Sequence, residues 1–135
     1  MDKYRLRRKK QAGFTLIEIM VVVVILGVLA ALVVPSIMDR PEHARQVRAK
    51  QDVRTLVNAI NLYRLDNFDY PSDLSQLVSG NYLDKVPKDP WNNDYQYRNP
   101  GSNNTSKFDI YSYGKDGREG GNEFDKDIGN WNLDR

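Results

Sequence analysis

The sequence predicts an α+β fold: a long N-terminal helix, membrane-spanning in its first half and amphipathic in its second, packed on a small antiparallel β-sheet. Three observations predict it. From Phe14 to Met38 the chain is almost wholly apolar, with Glu18 its one charged residue. Beyond that run the apolar residues recur at helical spacing on one side only. The last third breaks into short alternating or aromatic runs separated by Gly, Asn, Asp and Pro, a strand-and-turn pattern.

The first element, residues 1–13, is a basic leader. It holds Lys3, Arg5, Arg7, Arg8, Lys9 and Lys10 against Asp2 alone. The whole chain of 135 residues carries a formal charge of +2. Removing the leader takes six of 20 basic and one of 18 acidic residues, leaving 14 against 17, a net charge of −3. That balance gives no basic face for nucleic acid, so no nucleic-acid partner is expected. Basic residues flanking a span stay cytoplasmic, which sends the chain after residue 38 across the membrane.

The second element, residues 14–38, has the length of a bilayer-spanning helix, about 20 residues at ~1.5 Å each. A secretory signal carries its small-residue cleavage site after the apolar stretch. Here the Gly13–Phe14 junction precedes it, so processing there leaves the anchor on the mature protein. An ionised Glu18 within the bilayer costs about 2.5 kcal/mol or more at mid-depth. It either snorkels to the headgroups or finds a cationic partner. Pro35 removes a helical hydrogen bond, so a kink or local melting is expected between residues 27 and 35.

The third part, residues 39–135, is a small extracytoplasmic domain. Val47, Val53, Leu56, Val57, Ile60 and Tyr63 mark the apolar face of the continuing helix, with Arg48, Lys50, Asp52 and Arg54 facing elsewhere. Residues 67–71 close it. Residues 73–78 make one or two helical turns with Ser72 as cap, and 80–93 is loop. Strands are expected at 95–98, 108–113 and 128–133, with a polar turn over 101–106. Tyr63, Tyr70 and Tyr82 are expected at the helix–sheet seam, and Trp91 and Trp131 as packing residues. There is no cysteine, hence no disulfide. Roughly a hundred residues make a marginal core, for which a metal or packing against further copies would act as a staple.

Residues 112–131, SYGKDGREGGNEFDKDIGNW, gather Asp116, Glu119, Glu123, Asp125 and Asp127 around Gly114, Gly117, Gly120 and Gly121. Oxygen ligands on a glycine-flexible loop suit a hard cation such as Ca²⁺. A solvated acidic turn offset by Lys115, Arg118 and Lys126 accounts for the same composition. No nucleophile–base arrangement is visible. With one histidine, His43, and no cysteine, a zinc site or Cys/His catalysis lacks materials, so no enzyme activity is expected. His43 reads as a surface residue of the helix.

At KKQAGFTLIEIMVVVVILGVLAALVVP the chain resembles the class III signal of type IV pilins and type II secretion pseudopilins. The resemblance implies cleavage between Gly13 and Phe14 by a prepilin peptidase, N-methylation of Phe14, and assembly roles for Phe14, Glu18 and Pro35. KDPW at residues 88–91, then Tyr95, SYGKDG and DIGNW resemble the globular domain of the major pseudopilin family of type II secretion, the G subunits. That extends the likeness over most of the chain and implies a pilin-like fold. It also implies one Ca²⁺ bound by Asp116, Asp125 and Asp127 with the backbone oxygens of Tyr113 and Arg118. Asp125-Lys126-Asp127 replaces adjacent acids found in some relatives, which brings in Asn122 or Glu123 as a substitute for the third ligand.

The implied function is the major structural subunit of a periplasmic pseudopilus that drives export of folded proteins across the outer membrane. Implied partners are further copies in a helical homopolymer, the prepilin peptidase, minor pseudopilins, an inner-membrane assembly platform, and lipid before assembly. The implied location is the bacterial inner membrane, single-pass with the N-terminus cytoplasmic, then the periplasm. A type IV pilin, for adhesion, motility or DNA uptake, and a membrane-anchored calcium-dependent binding module are the alternatives.

Overall fold

A computed structural model describes residues 10–103 and 108–134. Most of the leader and the tip of the expected turn over 101–106 therefore lie outside the described residues. The elements are α1 (Leu16–Met38), α2 (Arg40–Asn67), α3 (Ser75–Ser79), β1 (Gln96–Arg98), β2 (Asp109–Ser112), a 3₁₀ turn (Glu123–Asp125) and β3 (Ile128–Gly129). The chain divides into two compact units, one ending at Met38 and the other spanning Asp39–Arg135.

In the first unit, α1 is apolar on every side. Its Leu16–Val33 stretch has a mean hydropathy of 3.1 and none of it is buried, a length and composition able to cross a membrane. The backbone stays helical through Gly27 and Pro35, so the disturbance expected there is not a melted segment. The interruption falls at Asp39, a single turn residue between α1 and α2. Pro41 follows in the first turn of α2, where a missing N–H leaves no bond unmade.

In the second unit, α2 buries Ala49, Val53, Leu56, Ala59 and Ile60. These recur every three or four residues and form one stripe. Val47, expected on that face, is exposed instead. Its six-residue separation from Val53 turns it about 120° away from the stripe, which starts at Ala49. From Val53 onward the stripe packs with Leu77, Tyr95, Phe108 and Ile110 into one core, and Tyr63, Tyr70, Tyr82 and Tyr97 close its edges. The tyrosines thus sit at the seam, with hydroxyls turned to polar partners; that of Tyr97 donates to the carbonyl of Pro71 at 2.8 Å.

Helix α3 begins later than expected, and Ser72 is not its cap. The Asp73 carboxylate accepts the Ser75 N–H at 2.8 Å, while the Ser72 N–H donates to the Gln76 side chain. The sheet is antiparallel, in the order β1-β2-β3. Tyr97 pairs with Ile110, and Ser112 with Ile128. All four residues of β2 are buried. The third strand is shorter than residues 128–133 because asparagine side chains replace its ladder. The Asn130 side chain accepts the Ile110 N–H at 3.2 Å and donates to the Phe108 carbonyl at 3.0 Å. The Asn132 side chain spans the Gly129 N–H and the Asp127 carbonyl, both at 2.9 Å.

Leu56 is fully buried and Leu65 is 71% exposed on the same helix. Leu56→Ala is expected to destabilise the Asp39–Arg135 domain by about 2–5 kcal/mol, and Leu65→Ala by no more than about 0.5 kcal/mol. Urea denaturation measures both, and equal losses would contradict the assigned core.

Candidate functional site

Two regions carry the candidate chemistry: the start of α1 and the loop between β2 and β3. At the first, Thr15 and Glu18 cap the helix reciprocally. The Glu18 N–H donates to Thr15 Oγ1 at 3.3 Å, and the Thr15 N–H donates to Glu18 Oε2 at 3.4 Å. This is the capping box, in which residues three apart satisfy each other's orphan donors. A carboxylate in the first turn also complements the helix dipole. Phe14 is exposed, and Phe14, Ile17, Val21 and Val22 surround the Glu18 side chain with apolar surface. Among the described residues no cation pairs with Glu18. Thr15 is the functional residue that sequence reasoning passed over, although T-L-I-E ahead of an apolar run is the box's signature.

In the second region, the loop folds back on itself after Ser112. Gly114 and Gly121 have φ of 77° and 90°, and a Cβ on either would meet the backbone of Asp125 within 3 Å. Only glycine allows both the left-handed turn and the close approach. Within the loop, Asp116 accepts the Arg118 N–H at 3.0 Å, and Asp127 Oδ2 accepts the Gly120 N–H at 3.0 Å. The other oxygen, Asp127 Oδ1, is buried without a hydrogen-bond partner. Burial pushes the Asp127 carboxyl above its ordinary range; the Gly120 N–H opposes this, and the nearby Glu119 and Asp116 add to it.

The structure therefore brings Asp127, Glu119 and Asp116 into one electrostatic neighbourhood. The half-buried Asp125 has its backbone beneath Gly114 and Gly121. Among the described residues no three acidic or histidine side chains converge as a metal-holding group. Tyr113 is half-buried, with its ring edge-on to Tyr111. Arg118 is exposed. The Asn122 carbonyl accepts the Asp125 N–H at 3.0 Å, and the Glu123 carbonyl accepts from Gln46 at 2.8 Å. A buried carboxylate oxygen lacking a partner is what a cation would satisfy, so Asp127 fits the expected group.

The loop is tethered to α2 and to the KDPW turn. Asp89, buried, accepts the N–H groups of Trp91 and Asn93 on Oδ1 and the Ser112 hydroxyl on Oδ2. Ser112 Oγ in turn accepts the Gly114 N–H at 3.1 Å. The Trp91 indole N–H donates to Glu42 at 3.0 Å, Arg45 pairs with the same carboxylate, and Lys115 Nζ lies 3.8 Å from it. His43, exposed as expected, meets the Phe124 ring edge-on at 5.1 Å. Trp131 covers Gly129 and packs on Tyr111.

Residues 8–34 match the prokaryotic N-terminal methylation motif, and residues 36–131 match the family described as type II secretion system (T2SS), protein G. The chain belongs to the type II secretion system protein G family. A type II secretion system core protein G from Pseudomonas aeruginosa is 52% identical over 93% of this chain and 99% of that protein. One from Vibrio cholerae is 46% identical, over 94% and 96% respectively. The crystal structure of the major pseudopilin from the type 2 secretion system of enterohaemorrhagic Escherichia coli matches with a TM-score of 0.54 at 34% identity, covering 70% of this chain and 92% of that one. The protein G family is one of structural pseudopilin subunits, which selects this reading over a type IV pilin or a binding module. Its pilin-like α+β fold, with a long apolar helix and a three-stranded sheet, is the one expected.

Within the protein G domain, the Trp91 indole holds the Glu42 carboxyl below its ordinary pKa of 4.5, helped by Arg45 and Lys115 against the effect of burial. A depressed carboxylate contributes stability that is complete above its unfolded pKa and is lost as pH falls through the folded one. The Asp39–Arg135 domain should therefore lose melting temperature below pH 4.5, and Glu42→Gln should remove that share of the loss. Circular dichroism melts between about pH 3 and pH 7 check this; parallel curves for the two proteins would refute it.

Proposed function

We propose that the chain is cut between Gly13 and Phe14 by a prepilin peptidase, is methylated on the new Phe14 amino group, and polymerises into a periplasmic filament that drives protein export. The observation that carries this is Glu18 at the first turn of a helix apolar on every side. Uncut, the Thr15–Glu18 box satisfies the helix start within one chain. After cleavage, the amino group of Phe14 on a neighbouring copy supplies the cation that Glu18 lacks. Pairing neutralises both in an apolar bundle and fixes the axial offset between helices, because unpaired charges there are costly. The basic leader keeps the N-terminus cytoplasmic and places Asp39–Arg135 in the periplasm. The inner-membrane assembly platform, minor pseudopilins and, before assembly, lipid are the further partners of this scheme.

Glu18→Ala is expected to abolish pelletable polymer while leaving cleavage and membrane insertion intact. Fractionation and sedimentation read the two separately. Normal polymer from this variant would end the pairing argument.

We further propose that the 113–127 loop binds Ca²⁺, with Asp127 and Asp116 as side-chain ligands, Glu119 or Asp125 as the third, and the Tyr113 and Arg118 carbonyls completing the shell. Asn122 and Glu123 remain the substitutes that the sequence offers. The support is the buried Asp127 Oδ1, on a carboxyl that burial and the charges of Glu119 and Asp116 push upward. The ion would neutralise this neighbourhood and close the loop against β3. Ca²⁺ at about 100 times its dissociation constant should stabilise the Asp39–Arg135 domain by about 2.7 kcal/mol, and Asp127→Asn should abolish the gain. An unchanged melting temperature on adding chelator to the wild-type domain would remove the ion from the account.

A further inference from the structure

Two surface patches of the domain are left without a partner inside it. The first is at the end of α2. Phe68 is 91% exposed and has φ 61°, so an aromatic residue holds the left-handed position that glycine fills with less steric strain. Its N–H closes the helix on the Arg64 carbonyl at 2.8 Å, a bond that glycine would make equally well. The ring itself adds nothing to the core. Leu65, also exposed, extends the apolar knob; exposed Asp69 follows it, Asp66 accepts the Tyr82 hydroxyl, and Arg64, which borders the same surface, donates to the Tyr70 hydroxyl.

The second patch is a hollow of about 460 Å³ in the segment leading to the KDPW turn. Half-buried Val86, Pro87 and Pro90 form apolar walls, and Arg48, Lys85 and Lys88 stand at its rim. Two of these cations have acidic partners: Lys88 lies 2.7 Å from Asp94, and Arg48 lies 3.9 Å from Asp52. Lys85 makes no ion pair among the described residues.

An acid-flanked apolar knob and a base-rimmed apolar socket complement each other in charge and in apolar character. They are different surfaces of one chain, so a contact between them is heterologous: every copy keeps a free knob and a free socket, and the contact propagates. We infer that Phe68 of one copy docks in the 86–90 hollow of the next, with Asp69 against Lys85. The inference rests on the polymer reading proposed above. It adds a contact made by the periplasmic domains, independent of the Glu18 pairing.

The chain has no cysteine, so introduced thiols report without background. In the full-length, assembled protein, the double variant Asp69→Cys with Lys85→Cys is expected to give a ladder of disulfide-linked multimers that reduction collapses, while each single variant runs as monomer. Polymer that pellets yet runs as monomer overturns the contact, as do dimers from Asp69→Cys alone, which would mean that knob meets knob. Independently, Lys85→Asp should lower pelletable polymer by about tenfold or more, and adding Asp69→Lys to the same chain should restore it. Failure of that rescue overturns the pairing. Failure of the polymer reading itself looks different, since wild type and Glu18→Ala would then sediment alike.

Discussion

Burial of one stripe of α2 against β2 is the constraint on which the rest of the domain depends. The stripe comprises Ala49, Val53, Leu56, Ala59 and Ile60, and β2 is buried along its whole length. With no cysteine in the chain, no covalent link fixes the strands to the helix. Fully buried Leu56 and Ile60 join Ile110 in the core, and β1 and β3 flank β2 on either side. A seam this short gives little margin for error, because a small domain buries a modest share of its surface. Polar side chains therefore take on much of the remaining fastening.

Four carboxylates illustrate how differently one chemical group is used. Asp89 saturates a turn and a buried hydroxyl, joining the KDPW segment to the end of β2. Asp109, fully buried, gathers the N–H groups of Ser102 and Asn103 and so shapes the start of the β1–β2 connection. Glu42 is surrounded by donors and held ionised. Asp127 is the opposite case, pressed by burial and by other acids toward its neutral form. Asp89 and Glu42 are satisfied inside the fold, whereas Asp109 and Asp127 each keep one buried oxygen without a partner. Of these two only Asp127 is pressed toward its neutral form by other acids on a glycine-rich loop, which is why it suits a cation.

What was legible in the sequence followed from local periodicity and local chemistry. The apolar run of α1, the Leu56–Ile60 part of the stripe, and strands near residues 96–98 and 109–112 all show in spacing alone. Val47 did not, because an apolar residue one step off the stripe is indistinguishable by hydrophobicity. The end of β3 was equally hidden: whether Asn130 and Asn132 continue a ladder or replace it depends on Ile110, Phe108 and Asp127, which are distant or face a turn. Asp89 shows in the sequence only as part of KDPW, since its role depends on Ser112, 23 positions away. At the sites, Glu18 stood out as a charge in an apolar run, whereas its partner Thr15 is unremarkable outside the capping geometry. The loop's acids are visible by composition, but the backbone path that sets Asp125 beneath Gly114 and Gly121 is not.

The placement of the two tryptophans has an optical consequence. Trp91 donates to Glu42, which also faces Lys115 at one end of the acidic loop, while Trp131 lies over Gly129 and lines the same recess as Asp127 at the other. They are the only indoles in the chain. Both half-buried rings therefore sense the polarity and charge of that loop, one from each end. The protein's tryptophan emission is in effect a local signal of the state of residues 113–127.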